Sequence, residues 1–138
     1  MTLRIFFVLL LISSSVFAVD STSFDSNAAI QTAGNLVDKN KTTFFAFYIP
    51  ADAYFPTTSI SIVGSLQDSS KKNSSLAIIG PDYLLNYKLL KSALEITDDA
   101  SLKGAQIIFI GDSANFDELG GLAKKAGASF NASTCCGK

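Results

Sequence analysis

Leu76, Ala77, Ile78 and Ile79 run without a polar break into Gly80, and Ile107, Ile108, Phe109 and Ile110 run in the same way into Gly111. The two glycines stand 31 residues apart, the length of one strand–helix–strand unit. Short runs that are apolar on both faces belong to strands covered on both sides, and such strands are mostly parallel. The residues between them have helical spacing. Lys88, Lys91, Ser92 and Glu95 form a polar stripe over residues 81–96, while Leu85, Leu89, Leu90, Ala93, Leu94 and Ile96 cover most of the remaining surface. Pro81 suits a first helical turn, where its missing N–H does no harm. Parallel strands joined through a helix cross over with a right hand. The pattern predicts an α/β fold, a three-layer sandwich whose small, largely parallel sheet has about 4–5 strands flanked by about 3 helices.

The remaining elements follow from the same reasoning. Ala29, Ala33, Leu36 and Val37 share one face of a helix over residues 27–38, with Ser26 or Asn27 as N-cap. Residues 42–49 are β-branched or aromatic almost throughout, which predicts a strand covered on both faces and stopped by Pro50. Residues 50–58 read as a loop that holds Tyr54 and Phe55 between two prolines. A strand over residues 59–63 then ends on Gly64, and the polar stretch 64–73 has room for at most a short helix. After the loop 97–101 and the strand 106–110, residues 115–126 predict a helix with Phe116, Leu119, Ala123 and Ala126 buried. Asp117 and Glu118 fall in its first turn and Lys124 and Lys125 in its last, as the helix dipole favours. Asn115 and Glu118 have the spacing of a capping box. Gly127 supplies a left-handed C-terminal residue, and residues 128–132 complete the sheet.

Residues 1–18 stand apart from this pattern. Arg4, the apolar run 5–12 and the small-residue end Val16, Phe17, Ala18 have the form of a cleaved secretory signal. The run is far shorter than the roughly 20 residues that cross a bilayer. The expectation is an exported protein, periplasmic in a bacterium and otherwise secreted, with no transmembrane segment after cleavage. Residues 19–26 would be a flexible lead-in, residues 27–132 a single domain and residues 133–138 a tail.

The formal net charge of the whole chain is −1, and losing Arg4 makes the balance slightly more acidic. With charges interspersed and only two basic doublets, nothing here neutralises a run of phosphates, so nucleic acid is not an expected partner. The only cysteines, Cys135 and Cys136, are adjacent. They cannot staple the fold, so it must rest on its apolar core. A strained disulfide between them, pairing with another chain, or free thiols all stay open.

Gly111, Asp112 and Ser113 follow an apolar strand, and this block resembles the nucleophile motif of the SGNH (GDSL) hydrolases. The resemblance covers those three residues and the preceding strand, and it implies a serine nucleophile at Ser113. That family also uses a histidine base near the C-terminus, and this chain has no histidine. Helix capping accounts for the same letters: Gly111 allows a sharp turn, and Asp112, Ser113 or Asn115 satisfies the first N–H groups of the next helix. A serine hydrolase is accordingly the third reading. A small-ligand site is the second, at the C-terminal rim of the sheet near Gly80, Gly111, Asp112 and Ser113. No phosphate-loop motif, calcium loop or histidine ligand occurs, and Asp98 and Asp99 read as a solvated loop, so no cofactor and no metal is expected. Asn40, Asn73 and Asn131 each open a glycosylation sequon, of consequence only in a eukaryotic host. The leading expectation is a non-enzymatic exported protein that binds another protein, for example as an accessory part of an envelope assembly. Tyr54 and Phe55 carry it, because aromatic residues anchor protein interfaces. The alternative for that pair is a flap closing over the sheet edge.

Overall fold

The computed structural model describes residues 24–135. The signal reading, most of the lead-in and Cys136 lie outside them. Among the described residues the chain forms four α-helices and four strands in the order α1 (Ser26–Gly34), β1 (Phe44–Tyr48), α2 (Phe55–Lys72), β2 (Ser75–Ile79), α3 (Tyr83–Glu95), β3 (Gln106–Ile110), a 3₁₀ turn (Ser113–Asn115), α4 (Phe116–Lys125) and β4 (Ser129–Ser133). The strands lie side by side in chain order, all parallel. Phe44, Ser75 and Gln106 are register partners across the sheet and stand at a constant interval of 31 residues. The fold is thus a three-layer α/β sandwich built from a repeated strand–helix unit.

Side-chain alternation along the strands separates two cores. Leu76, Ile78, Ile107 and Phe109 face α2, α3 and α4 and pack with Ile62, Leu66, Leu89, Leu90, Leu119 and Ala123. Ala77, Ile79, Ile108 and Ile110 face the other way, onto Ala29 and Ala33 of α1. Three crossover helices share one face because every connection is right-handed and moves in the same direction. The single short helix α1 covers the opposite face. Its alanines let it sit close to the sheet, and Asp25 caps it by accepting from the Ala28 N–H at 3.0 Å.

A long helix replaces the expected loop and strand at residues 50–63. The 18 residues of α2 bury Ser59, Ile62, Leu66 and Ser69 along one face. Ser59 is accommodated there because its hydroxyl donates to Ser92 of α3 at 3.1 Å. Gly64, read from the sequence as a strand end, lies mid-helix, and a Cβ there would meet nothing within 4 Å. Asn73 ends the helix in the left-handed conformation, φ 52. The strand over residues 42–49 is also corrected, since β1 is an edge strand with Phe45, Ala46 and Tyr48 exposed. The first helix stops at Gly34 rather than at residue 38. The chain beyond it is tied to the sheet by Gln106, whose buried amide donates to the Leu36 oxygen and accepts from the Asp38 N–H, at 2.8 and 3.0 Å.

Candidate functional site

The six candidate binding residues from the sequence all lie at the C-terminal end of the sheet. Gly80 and Gly111 directly follow β2 and β3, Asp112 and Ser113 follow Gly111, and Tyr54 and Phe55 open α2 after the loop that leaves β1. The rim is tightly tied by backbone. Ile49 N–H donates to the Ile79 oxygen at 2.8 Å, and Gly111 N–H to the Ser133 oxygen at 3.2 Å. The buried Asn86 amide donates to the Gly80 oxygen at 3.0 Å, while its own oxygen has no hydrogen-bond partner.

The helix starts that follow β2 and β3 carry their own acids, unlike the start of α2. Asp82 accepts from the Leu85 N–H and Asp112 from the Ala114 N–H, each at 3.0 Å. At these two starts the carboxylate occupies donors that an incoming anion would need and repels it. The cap of the last helical segment is therefore Asp112. Ser113 opens the 3₁₀ turn, and Asn115 makes no side-chain cap bond, so the capping box does not form. Glu118 is engaged elsewhere, with Lys91 at 2.9 Å and the Tyr87 hydroxyl. These bonds hold the Glu118 carboxyl below its ordinary range, the Tyr87 bond contributing most. The same carboxylate raises the Tyr87 hydroxyl and the Lys91 ammonium.

The chain has no histidine to serve Ser113 as a base. Lys124 and Lys125 sit in the last turn of α4, at the far end of that helix. Among the described residues no three of His, Cys, Asp or Glu cluster as metal ligands. No helix in the described region is long and apolar enough to cross a membrane.

Tyr54 and Phe55 do not close over the core. Tyr54 is 72% exposed and Phe55 37%. Tyr54 is the N-cap residue of α2, yet its side chain makes no cap hydrogen bond. Ile60, on the same helix, is 67% exposed. The start of α2 therefore presents apolar surface to solvent.

Two cavities were not singled out from the sequence. A groove of about 180 Å³ lies between β1 and α2, lined by Phe45, Phe47, Asp68, Lys72 and Leu76 among others. The Lys72 ammonium stands over the Phe45 ring, 5.7 Å from its centroid. The second is a polar hollow of about 240 Å³ between the ends of α3 and α4, which includes Glu95, Asp99 and Lys125. Neither cavity touches the rim residues. The tail is anchored at one of the two cysteines noted in the sequence: Cys135 is disulfide-bonded, not a free thiol, its carbonyl accepts from the Tyr83 hydroxyl, and its sulfur accepts from Thr32 of α1 at 3.1 Å. Partial burial pushes the Tyr83 hydroxyl up. Composition signals neither cavity, because each depends on which strand is the edge and which helix lies on which face. In comparisons with protein-family models, curated proteins and solved structures, this chain has no match.

Proposed function

We propose that this is an exported, non-enzymatic protein that binds another protein through the exposed start of α2. The observation that carries this reading is Tyr54, 72% exposed at the head of a helix whose first N–H groups it does not cap. A large aromatic ring left mostly in water beside Phe55 buries little surface within the fold, whereas at an interface aromatics are favoured anchors. The capping roles of Asp82 and Asp112 and the absence of a histidine base for Ser113 support a non-enzymatic reading. Export rests on Arg4, the apolar run 5–12 and the small-residue end at Ala18.

The test is capture of partners from the native exported fraction with wild type, Tyr54→Ala and Phe55→Ala, measured beside thermal unfolding of each. Binding should fall by roughly thirtyfold, as for loss of a hot-spot aromatic, while the melting temperature holds. Variants that melt early yet still capture every partner would overturn the reading. Silent variants at Tyr54 and Phe55, with binding of a small ligand lost on changing Gly80 or Gly111, would transfer the function to the rim. Mass spectrometry of the exported protein tests localisation. A chain beginning at Val19 is expected, and an intact Met1 in the cytosol overturns export.

A further inference from the structure

The outer side of β1 is a row of open backbone groups. Thr43 accepts from the Ser75 N–H at 2.9 Å and Ile49 donates to the Ile79 oxygen at 2.8 Å, so the odd-numbered residues of this strand face β2. In a parallel ladder both polar groups of a residue point the same way, and alternation aims those of Phe44, Ala46 and Tyr48 outward. Among the described residues no strand pairs with that side. Exposed edges are usually blunted by a charge, a proline or a bulge. β1 reads Phe, Phe, Ala, Phe, Tyr and has none of these. Its apolar surface is open on both faces, with Phe45 44% exposed toward α2 and Tyr48 49% exposed on the α1 side.

We propose that β1 pairs antiparallel with β1 of a second copy of this chain, about a two-fold axis at Ala46, and joins the two sheets into one. The strand is self-complementary about that residue. Ala46 meets its own copy across a hydrogen-bonded pair, and Phe44 meets Tyr48 in two further pairs on the same face. On the α2 face Phe45 stands opposite the Phe47 of the second copy, at the mouth of the groove that Phe45, Phe47 and Leu76 line. Each aromatic is thus set against an aromatic, the favoured kind of cross-strand pair. The charges bordering the groove, Asp68 and Lys72, are opposite in sign and one helical turn apart, so self-pairing gathers no net like charge. The other edge is a poorer match. β4 reads Ser, Phe, Asn, Ala, Ser, and head-to-tail growth would lay the aromatic row of β1 along these mostly polar residues. This surface is distinct from the start of α2, so the two proposals stand or fall separately.

The experiment is sedimentation equilibrium of the purified protein over a range of concentrations, with Ala46→Pro, Ala46→Asp and Ala46→Cys. The Ala46 N–H makes no bond within its own sheet, so proline there should leave the circular dichroism native while raising the dimer dissociation constant about tenfold or more. Aspartate sets like charges at the axis and should also give monomers, which keeps the test decisive if the proline variant fails to fold. In Ala46→Cys, peptide mapping should find a disulfide between the two introduced cysteines, since a hydrogen-bonded antiparallel pair has a Cα separation of about 5.5 Å. A monomeric wild type, a dimer that survives both Ala46→Pro and Ala46→Asp, or cross-linking only at Cys135 or Cys136 would overturn the proposal. So would edge-dependent capture of an extended segment from another protein by a monomeric wild type.

Discussion

The backbone oxygen of Ile49 lies 2.3 Å from the point a Cβ on Gly80 would occupy, and the Asn86 side-chain oxygen lies 2.9 Å from it. β2 can leave the sheet beside β1 only without a side chain at this position. Gly80→Ala must displace backbone and is expected to destabilise by about 1–3 kcal/mol, as overpacking does. Gly64 offers the opposite case, mid-helix with open space around it. Gly64→Ala should stabilise by about 0.5–1 kcal/mol. Urea unfolding of the two variants should move their midpoints in opposite directions.

Capping separates Asp112 from Ser113. Asp112→Ala removes the acceptor of the Ala114 N–H and should cost about 1 kcal/mol. Ser113→Ala removes a hydroxyl that supports no cap, and its effect should stay within about 0.5 kcal/mol. Equal losses in the two would show that Ser113 shares the capping.

Gln106 should be costly to replace. Its buried carboxamide donates to the Leu36 and Asn131 oxygens and accepts from the Asp38 N–H and the Ser75 hydroxyl. Gln106→Leu keeps the volume but strands several polar partners, for an expected loss of about 2–4 kcal/mol. Chemical denaturation measures it, and a near-neutral leucine variant would show that water reaches the site.

Glu118 sets a pH response. Its folded-state carboxyl is held below the ordinary value, so its contribution to stability is complete above the unfolded value of about 4.3 and fades as the pH falls through the folded value. Lys91, raised by the same contact, loses its contribution on the alkaline side instead. Wild type should therefore lose more melting temperature than Glu118→Gln when acidified from about pH 6 to about pH 3. The difference should shrink in high salt, because the pair sits at the surface.

Strong hydrophobic runs made most of the sheet legible in advance. β2 and β3 are fully buried; β3 matches the sequence reading at both ends, and β2 adds only Ser75 to the apolar run ending at Ile79. α2 was hidden because two of its four buried positions are serines, so the inward stripe of Ser59, Ile62, Leu66 and Ser69 is not apolar. The β-branched cluster Thr57, Thr58, Ile60, Ile62 and Val63 before Gly64 imitates a strand instead. The start and stop signals were nonetheless present, in Pro56, Lys71, Lys72 and Asn73. β1 was misjudged for another reason. A run of aromatics looks the same whether both sides of a strand are covered or one edge faces water, and only the order of strands separates the cases. The rim positions of Gly80 and Gly111 followed from the strand ends. The identity of the cap did not, because Asp112, Ser113 and Asn115 are all competent cappers and backbone geometry chooses among them.

Strands laid down in chain order give each unit contacts mainly with the units before and after it, as in a short repeat array. Such an array can peel from either end, one strand at a time. α1 works against this. It packs on β2, β3 and β4 at once, and its Thr32 holds the sulfur of Cys135 from 103 positions away. A clamp of that reach ties the last strand to the first helix, so the terminal units cannot open without loosening the middle. Amide exchange should therefore slow in β4 and α1 together, and release of the clamp should turn one cooperative transition into stepwise fraying.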